Sequence, residues 1–198
     1  MTRQEKIDEA AKEFLNTYIP IRYKKLCLKY NSEKVQIIND LGCTVSQLVG
    51  LARWQQDNLQ KKAIKYFATS YLLSSVITGS YDFRLALFDD RYYLDPTETS
   101  VYWSPRWMFS YIDEDRAALE KAVRQKCVRL QEYELDEAWR AYVHTFYYGL
   151  AGFFFAENIK AAAMNSEISE LHIEDQIIFL FDGIMDHPVQ IDMWKRDN

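Results

Sequence analysis

Two stretches near the C-terminus carry the donor atoms of a metal site. "DGIMDHP" holds Asp182, Asp186 and His187, and "HIED" holds His172, Glu174 and Asp175. Carboxylate oxygens and imidazole together suit a divalent cation. Neither stretch has the ligand spacing of HExxH or of a calcium loop, so polar turns are the plainer reading. A metal-dependent enzyme using Asp182, Asp186 and His187 stands as an alternative, and no cofactor is expected. Lys24 and Lys25 flank Cys27 in the manner of an activated thiol, but no catalytic cysteine motif surrounds it. There is no GxSxG, no GxxxxGK[ST] and no GxGxxG, and six glycines leave little for a phosphate cradle.

A third group of acids lies in "YDFRLALFDDRYYLDP", residues 81–96. Alternation puts Asp82 on the outer face of a strand. Asp89 and Asp90 fall at a turn, where Asp side chains bond the local backbone, and Asp95 precedes Pro96 at a loop opening. These acids are expected to shape the fold rather than to catalyse.

Two binding surfaces are legible. "VYWSPRWMFSY" is a proline-interrupted loop dense in aromatics, and Trp and Arg dominate protein-interface hot spots. Trp103, Arg106 and Trp107 are therefore the candidate partner-binding residues. The competing reading of this loop is a lid packed on the sheet. Residues 34–53, "KVQIINDLGCTVSQLVGLAR", match the outline of a helix-turn-helix with Gly42 at the turn. That gives a DNA-binding regulator as a second alternative. Against it, Ile38 is bulky at the helix crossing, and Thr44, Ser46, Gln47 and Arg53 offer few base or phosphate readers.

The elements behind these residues begin with helices. Thr2 and Glu5 form a capping-box pattern opening an amphipathic helix over 3–18, which Pro20 ends. Further helices are predicted over 22–30, 32–41 and 44–59. Residues 64–94 read as an antiparallel meander of two or three strands, although 63–78 fits a buried helix as well. A helix begins at 113–116 and runs to about 131. Another covers 134–164, with Gly149 and Gly152 admitting a kink or a close neighbour. The segment 176–181 is a strand or part of a helix. The fold class expected is thus α+β: N-terminal helices, a small antiparallel β-meander near residues 64–94 and a mainly helical C-terminal half. All 198 residues are expected to form one domain, with 1–62 helical and 63–198 holding the sheet and the remaining helices.

Residues 64–105, with "IKYFATSYLLSSVITGSYDFRLALFDDRYYLD" followed by "YW" and a proline, resemble uncharacterised bacterial proteins. The resemblance implies a bacterial source and no particular activity.

Composition narrows the class. Residues 1–62 hold 11 Lys/Arg against 7 Asp/Glu, a net of +4, and 63–198 hold 13 against 22, a net of −9. A chain of net charge −5 is a poor overall match for nucleic acid or an anionic membrane, and acidic surfaces steer basic partners. Three cysteines without a CxxC pair suggest free thiols in a reducing compartment. The charged N-terminus has no signal-peptide pattern. The uncharged run 141–156 falls short of the ~20 apolar residues of a membrane span. Together these point to a cytoplasmic, non-enzymatic module that binds another protein, immunity- or antitoxin-like in class.

Overall fold

The computed structural model describes residues 2–72, 74–127, 129–183 and 187–196, Asp182 by its backbone. In chain order the elements are α1 (Arg3–Asp57), β1 (Ile64–Tyr71), α2 (Ser75–Thr78), β2 (Phe83–Phe88), β3 (Ser100–Trp103), α3 (Ile112–Lys126), α4 (Glu132–Tyr142), α5 (Gly149–Asn165), β4 (Ile173–Gly183) and β5 (Val189–Lys195). A six-residue π-helical segment, Val143–Tyr148, joins α4 to α5. The fold is α+β, as expected. The chain divides into two compact units, Met1–Lys34 with Arg106–Leu150, and Val35–Pro105 with Ala151–Asn198. The charge break at residue 62 coincides with neither limit.

The four N-terminal helices predicted from sequence are one helix of 55 residues. Its start is as read: the Glu5 amide donates to Thr2 Oγ1 and the Thr2 amide to Glu5 Oε2. Pro20 lies inside it and costs one i→i−4 bond. Burial outweighs that loss and the two interior glycines. Ile37, Leu41, Val45, Leu48 and Ala52 recur at helical spacing and are all inaccessible or nearly so. Each of the four larger side chains contributes roughly 1.5–3 kcal/mol.

The helix ends in a Schellman motif. The Gln60 amide donates to Gln55 O and the Leu59 amide to Gln56 O. The residue forced into the left-handed region is Leu59, with φ +55°, and it is 95% exposed. A leucine there is strained, and its side chain gains nothing from packing. Leu59→Gly is expected to raise stability by roughly 0.5–1 kcal/mol, read as a higher urea midpoint at unchanged slope. An unchanged or lower midpoint would count against the strain.

The second unit is built on a five-stranded sheet in the order β3-β2-β1-β4-β5. β1 runs antiparallel to β2 and parallel to β4, so the sheet is mixed, not an antiparallel meander. Within the expected meander, strands are present at Ile64–Tyr71, in the stretch 63–78 that also fitted a helix, and at Phe83–Phe88, with Asp82 just before the strand instead of on its outer face. Tyr92–Leu94 is a 3-10 turn instead of a returning strand, and β3 takes the place beside β2. Residues 173–183 and 189–195 resolve their ambiguity as strands, paired antiparallel. On the helix-covered face Phe83 meets Phe155, Phe67 stacks on Phe179, and Phe181 packs on Gly152. A Cβ at Gly152 would lie 3.2 Å from the Phe181 ring, so this glycine does admit a close neighbour. On the other face Tyr92 and Tyr93 pack over Phe88 and Tyr66.

The first unit packs α3 and α4 on the N-terminal part of α1. Arg3 ties the helices together through Glu134, whose carboxylate also caps α4 at the Gln131 amide. Among the described residues no helix is long and apolar enough to cross a membrane.

Candidate functional site

The most concentrated polar chemistry in the first unit surrounds Asp115, near the start of α3. Its side chain is fully buried. Three phenols donate to it: Tyr18 to Oδ1 at 2.8 Å, Tyr142 to Oδ2 at 2.8 Å and Tyr147 to Oδ2 at 2.5 Å. Arg22 Nε lies 2.6 Å from Oδ1. Its Nη2 donates to Tyr18 Oη at 2.7 Å and sits 3.0 Å from Glu114. The guanidinium carbon stands 4.3 Å from the centre of the Tyr111 ring. Tyr142 and Tyr147 are five residues apart, which an α-helix would splay by about 140°. The i→i+5 winding of Val143–Tyr148 brings both hydroxyls to one carboxylate.

Burial and the neighbouring Asp115 charge push all three phenols up, Tyr18 to about 12 and the other two further. Burial alone would weaken the Arg22 charge. Its hydrogen bonds to Tyr18 and Glu114 and the Asp115 carboxylate outweigh that and raise its pKa. Three hydroxyls bond this carboxylate and the Arg22 guanidinium lies against it as its counter-charge, with Nε and Nη1 making no aligned hydrogen bond. The cluster is a lock joining α1, α3 and the π-helical segment. It also makes the fold sensitive to alkali. A phenol whose folded pKa lies above its unfolded value of 10.0 contributes stability that is present below pH 10. That contribution is lost as pH rises from 10 towards 12 and beyond. Titration of the tyrosinate absorbance should show three of the 14 tyrosines ionising late, together with unfolding. Ionisation of all 14 near pH 10 without loss of structure would contradict the lock.

Beside this lock runs an open groove of about 280 Å³ between α1 and α4. Its α1 wall is the row Ala11, Leu15, Ile19, spaced by four and therefore aligned on one face. Its other wall is Ala138, Ala141, Tyr142 and Thr145. Ala11, Ala138 and Tyr142 are buried and form the floor, while Ala141 and Thr145 are exposed at the lip. Small side chains on both helices leave the room. Along α1 the groove is bordered by Asp8, Lys12 and Asn16, and beyond them by Glu5, Glu9 and Glu13.

The residues singled out from sequence fall elsewhere. Trp103 is 3% exposed, donates its indole N–H to Asp40 at 2.8 Å and stacks on Phe154. Trp107 is 7% exposed against Tyr30. Both rings are packed inside, Trp103 as a member of β3 and Trp107 beside α1 and so not as a lid on the sheet, and of the three candidates only Arg106 is on the surface. Residues 34–53 lie wholly within α1, so Gly42 makes no turn and no helix-turn-helix exists. Asp186 is outside the described residues, Asp182 is placed by backbone in β4, and His187 is exposed. Among the described residues no three or more His, Cys, Asp or Glu side chains are arranged to hold a metal ion.

The acids of the opening strand region are structural. Asp89 accepts the Arg91 amide and guanidinium, and Asp95 accepts the amides of Asp89 and Thr97 and the ammonium of Lys61. Cys27, Cys43 and Cys127 are free thiols.

The groove was missed from sequence because its walls are some 130 positions apart. The available signals were the row Ala11, Leu15, Ile19 and the alanines at 138 and 141. Comparison with protein-family models, with curated proteins and with solved structures finds no match.

Proposed function

We propose that this chain works by binding another protein, and that the groove between α1 and α4 is where the partner seats. The observation that carries the reading is the groove's make-up: a floor of two alanines and the Tyr142 ring, with charged groups only along one border. At about 280 Å³ it lies below the usual 300–1,000 Å³ of small-molecule pockets, and it is open along its length. That shape suits the side chains of a partner helix. The nearest ionisable cluster, around Asp115, is engaged in holding the helices together, and the Asp115 side chain is fully buried. Exposed Ile21 and Leu28 also share a helix face, seven residues apart.

Ala141 is exposed at the lip, so Ala141→Trp should fold normally and cover the groove. Capture from nuclease-treated lysate of the native host is expected to lose a specific partner at least tenfold with Ala141→Trp and to keep it with Leu28→Glu. An identical bound set for wild type and Ala141→Trp would remove the groove from the account.

A further inference from the structure

We infer that the element docking in this groove is a cationic amphipathic helix of the partner protein. The inference rests on the protein-binding reading and adds the partner's chemistry. The α1 surface is ruled in parallel rows at four-residue steps. Ala11, Leu15 and Ile19 form the apolar row, Asp8, Lys12 and Asn16 the mixed row, and Glu5, Glu9 and Glu13 the acidic row. Each row spans eight residues, about 12 Å, or two turns of a helix laid alongside.

A partner helix whose apolar side chains enter over Ala11, Leu15 and Ile19 turns its flank to Glu5, Glu9 and Glu13. Four acids against Lys12 and the Lys126 ammonium paired with Glu13 leave that flank net negative. Glu5 closes the capping box and Glu13 is paired with Lys126, whereas Glu9 has no partner among the described residues. Lysine or arginine on the incoming flank would complement this border, and acidic residues there would be repelled. An anionic membrane surface is disfavoured by the same charge. A second copy of this chain is the remaining occupant, since Lys24 and Lys25 flank its own exposed Ile21 and Leu28.

The test uses the full chain and a labelled synthetic helix of ~18 residues, long enough to hold helical structure. It carries Leu at i, i+3, i+4, i+7 spacing and Lys elsewhere. A Leu/Glu counterpart and phosphatidylserine–phosphatidylcholine vesicles run beside it. Fluorescence anisotropy is expected to show binding of the Leu/Lys helix and none of the Leu/Glu helix or the vesicles. Ala141→Trp should weaken it at least tenfold, Asp8→Lys with Glu9→Lys should weaken it and flatten its salt dependence, and Leu28→Glu should leave it unchanged. Ala141→Ile serves if the tryptophan variant melts early by circular dichroism.

Equal binding by wild type and the Ala141 variants would mean charge attraction without the groove and would overturn the inference. So would preference for the Leu/Glu helix or for vesicles. Self-association on sedimentation that Ala141→Trp abolishes would make a second copy the occupant and would also overturn it. If Ala141→Trp loses the native partner while the Leu/Lys helix fails to bind, the partner's chemistry is wrong and the protein-binding reading stands.

Discussion

Asp115→Ala should destabilise the protein by about 3–5 kcal/mol, the cost of removing one member of a buried ion pair. The carboxylate is the acceptor for Tyr18, Tyr142 and Tyr147 and the counter-charge of Arg22, whose side chain is 1% exposed. Its loss strands three buried hydroxyls and a buried guanidinium, and each stranded group carries its own desolvation penalty. A domain of this size has only about 5–15 kcal/mol in total, so a large share of the stability is at stake. Asp115→Asn keeps an acceptor oxygen and should cost less. Tyr147→Phe removes one charge-assisted bond and should cost roughly 1.5–3 kcal/mol. Urea unfolding of the three variants gives the ranking Ala, then Asn and Phe. A loss below about 1 kcal/mol for Asp115→Ala would mean that solvent reaches this cluster and that the π-helical segment is held by something else.

The second large effect belongs to the sheet unit. Lys61 is buried, and its ammonium donates to Asp95 at 2.5 Å, to Leu87 O at 2.8 Å and to Thr97 O at 2.9 Å. Burial pulls its pKa down against the opposing pull of Asp95. Lys61→Ala leaves the Asp95 carboxylate and two carbonyls without their donor, again a loss of about 3–5 kcal/mol. The segment 89–97 should loosen with it, because Asp95 is the anchor that also holds the amides of Asp89 and Thr97. The double replacement Lys61→Met with Asp95→Leu removes both charges and should recover part of the loss. Equal or greater destabilisation by the double variant would show that the backbone acceptors, rather than the unpaired carboxylate, dominate.

Local chemistry was the legible part of the sequence. Thr2 and Glu5 cap α1 as their spacing requires, β2 lies within the stretch where alternation put a strand, and Asp89 bonds turn backbone. Gly152 admits Phe181. What was not legible depends on partners distant in sequence. Pro20 and Gly42 read as breaks, yet a long buried stripe on α1 overrides them. The parallel pairing of β1 with β4 is fixed by a crossover of about a hundred residues, which no local pattern encodes. Trp103 and Trp107 have the composition of a hot spot, but composition does not distinguish a ring on the surface from a ring in the core. Tyr142 and Tyr147 do not align on an α-helix, so their joint hold on Asp115 was invisible until the π-helical winding was known.

Amide hydrogen exchange, read by mass spectrometry on the protein alone and with its captured partner, tests the groove most directly. The account predicts added protection in residues 8–19 and 138–145, lost in Ala141→Trp. Protection confined to the sheet unit, or to the exposed face around Leu28, would contradict it.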